Sequence, residues 1–351
     1  MKKYVQLVLL SALLFIGACK KSEQPTLSND AGSGKLTTNA SVPPLSVITI
    51  AGQYNTDGFV DGTGSQARFH YPYGIDIGED GNLYVADLFN DAIRKVTPDG
   101  VVTTISIPAA ADGQRLRYPE KVLFSKDGSI NILTSIAVSP ESLHRLWILK
   151  PNGELLTPAA QVNYYTYVYY SLSKDPFSDY LQICGDRYVT GRSGLRQGFI
   201  ESAEIVNGVA GRHPYTPPLD SLNTPSREAS AITRMYCGNN GVKYLVTRGK
   251  YIYKLTKSGV FTQIFRDINF REITDLVATK DSRTLYMVSG GEIVSVSNNK
   301  LTKLVGLNGK FSSPDGVGKN AYVFANYLAL SKDESTIYFS DNETIRKLIL
   351  R

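Results

Sequence analysis

Carboxylates are the groups whose number and spacing could most readily do chemistry in this chain. Asp57, Asp61, Asp76, Asp87 and Asp91 crowd one short stretch, and oxygen ligands of this kind suit calcium. Turn chemistry accounts for most of them better. Asp87 and Asp341 each follow a short apolar run and stand just before Asn90 or Asn342, where a carboxylate accepts backbone N–H groups. Asp61 and Asp315 recur in matching glycine-containing segments, as parts of a loop motif would. Asp76 is the exception, because it lies inside an apolar run. The three histidines, His70, His144 and His213, form no H-x-H or H-E-x-x-H cluster, which argues against zinc and histidine-based nucleophilic sites. No G-x-S-x-G elbow is present. Cys184 and Cys237 sit in apolar runs and are expected to be buried free thiols rather than a disulfide, although an exported protein could oxidise them.

A second constellation is tyrosine with arginine. Tyr71, Tyr73, Tyr118, Tyr215 and Tyr322 occur among Arg68, Arg115, Arg117, Arg192, Arg196 and Arg212, mostly between apolar runs, and Arg234 is counted with them. This pairing is typical of recognition surfaces. The chain is mildly basic, at +6. No Lys/Arg run exceeds two, so a nucleic-acid partner has little support.

The elements that must position these groups are strands. Phe69 to Ile105 holds four runs of β-branched and aromatic residues, separated by Glu79-Asp80-Gly81-Asn82, Phe89-Asn90-Asp91 and Pro98-Asp99-Gly100. Such punctuation predicts a four-stranded antiparallel meander. A meander cannot bury both faces alone, so the unit should recur. It does. Ile337-Tyr338-Phe339-Ser340-Asp341 matches Leu83-Tyr84-Val85-Ala86-Asp87, and Thr344-Ile345-Arg346-Lys347-Leu348 matches Ala92-Ile93-Arg94-Lys95-Val96. Upstream, Asp61-Gly62-Thr63-Gly64-Ser65-Gln66-Ala67 pairs with Asp315-Gly316-Val317-Gly318-Lys319-Asn320-Ala321.

On these residues the two ends of the chain resemble NHL repeats. The resemblance implies an all-β, six-bladed β-propeller of four-stranded antiparallel blades. The blades are expected near Gly74–Ile105, Glu120–Thr157, Tyr167–Ala210, Ala231–Phe265, Glu272–Val305 and from Tyr327. In the third blade strands fall near YVYYSLS, YLQICG, GFIESA and EIVNGVA. The chain ends after a third strand, whereas Val47–Gly52 is a fourth-strand sequence with no blade before it. The last blade should therefore be closed by the N-terminal strand, Val47–Gly52 against Thr344–Leu350, which removes an exposed edge. Trp147 and most of Tyr164–Tyr170 are expected to pack between strands.

In such a meander the links from strand four to the next strand one share a face with those from strand two to three. Those links are the long ones: Gly52–Tyr73, Ser106–Pro119, Ser135–Leu143, Asp186–Gln197, Gly211–Ser230 and Leu307–Asn326. Long loops on one face mark the expected binding face. The candidate ligand-binding residues are Tyr71, Tyr73, Asp76, Arg115, Tyr118, Arg192, Arg196 and Arg234. Six-bladed relatives include lactonases, esterases and lyases with a metal in the central channel. The innermost strands here offer Asp76, Lys121, Ser171, Thr233 and Asp275, plus Asn326, which is a thin donor set. A binding module for a protein or glycan, without cofactor, is the leading expectation; a metal-dependent hydrolase or lyase around Asp76 and Asp275 is the alternative, and calcium the other metal to consider.

Ahead of the repeats, Lys2, Lys3 and the apolar run Val5–Ile16 read as a secretory signal too short to span a bilayer. Ile16-Gly17-Ala18-Cys19 resembles a bacterial lipobox, implying cleavage after residue 18 and a lipidated Cys19 anchored in the membrane. Removing the two lysines takes the formal charge from +6 to +4. Residues 19–45, poor in apolar residues, are expected to be a flexible tether, and residues 46–351 the propeller. Lys20-Lys21-Ser22-Glu23 resembles the start of surface-exposed lipoproteins of Bacteroidota. The expected setting is the outer membrane or cell surface of a Gram-negative bacterium, as a monomer.

Overall fold

Short runs of alternating burial, broken by Asp-Gly and Asn-Gly turns, build six antiparallel sheets arranged as the blades of a propeller. The computed structural model describes residues 42–138, 141–157, 167–177, 181–188, 196–206, 209–215, 231–307 and 314–351. Blade one comprises Pro72–Ile77, Leu83–Asp87, Ala92–Val96 and Val101–Ile105. Blade two comprises Pro119–Phe124, Ile130–Val138, Glu141–Leu149 and Leu155–Leu156. Blade three comprises Tyr167–Lys174, Leu181–Tyr188, Arg196–Val206 and Val209–Tyr215. Blades four and five run from Ile232–Cys237 to Phe261–Ile264 and from Ile273–Ala278 to Lys300–Val305. Blade six comprises Ala325–Leu330, Thr336–Asp341 and Thr344–Ile349.

The last blade takes its fourth strand from the start of the fold, as expected. Ser46–Gly52 runs antiparallel to Thr344–Ile349, with Val47 opposite Leu348 and Gly52 opposite Thr344. The ring therefore has no unpaired seam. Each blade junction is filled by its own apolar cluster. At the seam Ile50, Ala51, Tyr327 and Ile345 pack with Ile75, Leu83 and Val85. Trp147 is fully buried in the junction between blades one and two.

Two expectations about blade three and the links need correction. The third strand of blade three absorbs Glu204-Ile205-Val206, and the fourth is Val209–Tyr215, with Val206 opposite Val209. Likewise Ser135–Leu143 is not a loop: Ser135 pairs with His144 and Val138 with Glu141. Asp186 pairs with Gly198 and Arg187 with Gln197. In these places strand alternation runs on, and paired backbone satisfies its own hydrogen bonds.

The repeated Asp and Arg positions form a buried clamp. Arg94 is wholly buried and donates to Asp87 Oδ2 at 2.7 Å and Asp61 Oδ1 at 2.7 Å. Arg346 does the same with Asp341 at 2.6 Å and Asp315 at 3.1 Å. The outer aspartate of each set also caps the neighbouring fourth strand: Asp61 accepts from Thr104 and Asp315 from Thr49. Each loop motif adds a two-residue strand at its blade's outer edge, Gly62–Thr63 in blade one and Gly316–Val317 in blade six. Asp87 does hold its turn, but through the Asn90 side chain; the backbone N–H it accepts is that of His70, in the preceding loop, and its burial with an arginine was not foreseen.

Candidate functional site

The innermost strands surround the channel, and each carries a bulge near its start. Counting from that irregularity, equivalent positions are Gly74, Lys121, Ser171, Arg234, Asp275 and Tyr327. Gly74 is required by close approach, because a Cβ there would lie 2.5 Å from the Glu120 carbonyl oxygen and 2.7 Å from Lys121 Cα. The others close the channel midway. Lys121 Nζ lies 3.3 Å from Asp275, whose other contact is the Leu328 N–H at 3.0 Å. The Tyr327 ring is held between Lys121 at 4.6 Å and Arg234 at 5.4 Å, a cation–π arrangement that strengthens away from water. Arg234 Nη2 donates to the Tyr327 hydroxyl at 3.0 Å, and its Nε donates to the Thr274 carbonyl. Burial pushes the Tyr327 hydroxyl well above its ordinary range, against the pull of Arg234. Arg234 is thus part of the plug, and Tyr73 meets Tyr327 edge-on at 4.6 Å.

Beyond the plug the channel widens into a cavity of about 510 Å³ that opens among the short turns. Asp76 lines it, two residues past the plug position. Its Oδ2 accepts the Phe124 N–H of blade two at 2.7 Å and pairs with Lys174 of blade three at 2.5 Å. Asp76 and Asp275 therefore do the same structural task, each joining its inner strand to the next. Among the described residues no group of three or more His, Cys, Asp or Glu side chains is gathered as a metal-ligand set.

On the long-loop face, Tyr71 and Tyr118 occupy equivalent positions, each just before a proline that opens an inner strand. Both adopt left-handed backbone, φ 60° and 47°. That is an uncommon region for a bulky residue, one that costs about 1–3 kcal/mol and persists only where the surroundings impose it. Hydrogen bonds from Leu88 N to Tyr71 O and from Ser135 N to Tyr118 O impose it. Tyr71 is 38% exposed and packs on Tyr73 at 5.8 Å and Phe89 at 5.5 Å. His70 meets Phe89 at 5.1 Å. Phe59 and Phe89 are more than half exposed, and the Asn90 side chain bonds to Gly58 O, which holds their two loops together. Tyr118 is half-buried beside Arg117, whose guanidinium lies 5.2 Å from the ring.

Of the other residues singled out by sequence, Arg115 is exposed on the link ahead of Pro119. Arg192 and Cys19 lie outside the described residues, as does the side chain of Arg196 at the start of its strand. The structure thus brings Tyr71 and Tyr73 together, places Arg234 in the plug and Asp76 in the cavity beyond it, and leaves Arg115 apart. Phe59 and Phe89 were missed; for Phe89 the available signal was a phenylalanine placed in an Asn-Asp turn. Cys184 and Cys237 are buried free thiols, and burial pushes Cys237 up to about 11.

Together, the ring of blades and the plugged channel define this chain as a six-bladed β-propeller. No protein-family profile matches it, and no curated protein matches it in sequence. Solved structures do share the fold. A protein of unknown function from Bacteroides thetaiotaomicron superposes with a TM-score of 0.63 at 14% identity, over 87% of this chain and 75% of the other. An auxiliary nutrient binding protein from Bacteroides ovatus gives 0.61 at 12% identity, over 86% and 76%. A virginiamycin B lyase from Staphylococcus aureus gives 0.52 at 15% identity, over 87% and 98%.

Proposed function

We propose that this chain is an NHL-type propeller, tethered through a lipid on Cys19 to the outer membrane or cell surface, that binds a protein or glycan on its long-loop face. The binding surface is centred on Tyr71 and Tyr73, with Phe59 and Phe89 beside them and Tyr118, Arg115, Arg192 and Arg196 further round the face. The fold is shared by a nutrient binding protein and by a lyase, so it does not choose between binding and catalysis. The exposed Tyr71–Phe89 pair carries the reading. Tyr71 is held in a strained backbone with over a third of its surface in water, beside the more exposed Phe89, and rigid aromatic anchors are what recognition surfaces use. Nothing in the geometry of Asp76 and Asp275 favours the hydrolase or lyase alternative, because each carboxylate is engaged by a lysine and a backbone N–H.

The test is a glycan array together with a pull-down from outer-membrane extract, repeated with Tyr71→Ala/Tyr118→Ala. Any ligand found should bind the double variant at least ten-fold more weakly. Full binding by a double variant of unchanged melting temperature rejects this face.

A further inference from the structure

The cavity on the opposite side of the plug is not used by a long-loop binding surface, and it has the form of a site of its own. Lys121 and Asp275 line its inner end, with Tyr327 against Lys121 behind them, and all three are less than a tenth exposed. Its volume of about 510 Å³ falls within the span of small-molecule pockets, which runs from about 300 to 1,000 Å³. Strands or turns from all six blades line it, so its shape is fixed by the ring itself.

Its charges point to the class of ligand. Three lysine–carboxylate pairs of the wall satisfy one another: Lys121 with Asp275, Lys174 with Asp76, and Lys150 with Asp127 at 3.0 Å. Lys126 and Asp175 also line it, one of each sign, Lys126 donating to the Pro176 carbonyl and Asp175 accepting the Phe177 N–H. At the rim Glu79 is held below the usual carboxylate range by a hydrogen bond from Lys332, with Lys174 and Lys126 adding to the effect. The lining thus carries no excess of either sign, and an ionic ligand gains no net attraction from it. The pairs nevertheless keep hydrogen-bonding capacity. A lysine has three donors and a carboxylate about four acceptor sites, whereas Asp76 and Asp275 each accept from one lysine and one backbone N–H. Hydroxyl groups both donate and accept, so they can bridge such pairs, and hydrogen bonds to ionised partners are the stronger kind. Partly exposed apolar side chains, among them Phe124, Tyr236 and Leu330, cover the wall between the charges and suit the C–H faces of a ring.

We propose that this cavity binds a small, uncharged, polyhydroxylated molecule, a sugar of one or two rings, entering from the short-turn face. Asp76 and Lys174 meet it near the mouth, and Lys121 and Asp275 at the floor. The site is separate from the surface around Tyr71 and stands or falls apart from it.

The test is titration of the full chain in detergent, by calorimetry and saturation-transfer NMR. The neutral probes are glucose, galactose, mannose, N-acetylglucosamine and maltose; the charged ones are glucuronate, glucosamine and glutamate. At least one neutral sugar should bind. Lys174→Met removes the donor near the mouth, and Asn239→Trp covers the mouth from an exposed turn position. Each should weaken binding at least ten-fold, while Tyr71→Ala/Tyr118→Ala leaves it unchanged. Three results overturn the proposal: no neutral sugar binds, only charged probes bind, or the Asn239→Trp protein binds as well as the parent.

Discussion

Arg94→Met tests the buried clamp directly. The guanidinium donates to Asp87, to Asp61 and to the carbonyls of Val60 and Arg68. Methionine keeps much of the volume and none of the donors. Asp61, with a side chain 48% exposed, rehydrates, and exposed pairs contribute only about 0–1 kcal/mol. Asp87 cannot rehydrate, because its side chain is fully buried. Removing one partner of a buried pair costs about 3–5 kcal/mol, so the Asp87 side dominates. At this chain length each kcal/mol lowers the melting temperature by about 2 °C, which gives a fall of about 6–10 °C. The loss should also depend on pH. Burial already pushes the Asp87 carboxyl up, and without the arginine nothing cationic opposes it. A carboxyl raised in the folded state adds stability below its unfolded value, about 3.9, and loses it as pH rises through the folded value. The deficit of Arg94→Met should therefore be smaller at pH 5 than at pH 8. Thermal and urea denaturation at both values is the assay, with Asp87→Asn and the double variant completing a cycle. The double variant should be milder than the sum of the singles by about 1–3 kcal/mol. A melting temperature within about 2 °C of the parent, or a deficit equal at both pH values, refutes the reasoning.

Other expectations concern the seam and the turns. Deleting Ser46–Gly52 removes the fourth strand of blade six and the Asp315–Thr49 contact, so the melting temperature should fall further than for Arg94→Met; an unchanged melt would sink ring closure as a source of stability. Asp80 is pushed up by partial burial, but Asn82, Lys95 and Tyr84 pull it down to about 2. Its folded value lies below the unfolded one, so it contributes stability above about pH 4 that is lost as pH falls through about 2. Screening at this half-exposed site limits that to about 1 kcal/mol, and Asp80→Asn should flatten the acid limb of a stability–pH curve by no more than this.

Much of the fold was legible because the first and last blades repeat one unit. Comparison of Asp87 with Asp341 and of Arg94 with Arg346 exposed the scaffold, and the unpartnered run Val47–Gly52 predicted the closure. Blade three was misregistered although the dipeptide Asn207-Gly208, between two apolar runs, is a strong hairpin signal. The dense tyrosines upstream drew attention to sheet packing instead. The channel was harder. Which of two adjacent residues faces inward depends on a bulge in each inner strand, and a one-residue shift exchanges Thr233 for Arg234 or Asn326 for Tyr327. The ion pairs across the channel join residues 154 apart, as Lys121 and Asp275 are, and no local pattern announces such a contact.

The direction of the closing strand has a mechanical consequence. Thr344–Ile349 runs toward the short turns, and Ser46–Gly52 runs back antiparallel to it. The chain therefore enters the ring from the short-turn face, where Leu45 N bonds to Ile349 O. Its hydrogen bonds lie across the strand axis. A pull on the chain from Val42 acts along that axis and loads these bonds, with the Asp315–Thr49 contact, in shear and all together, instead of peeling them one at a time. The seam that completes the ring is in this way oriented to resist force transmitted along the polypeptide that leads into it.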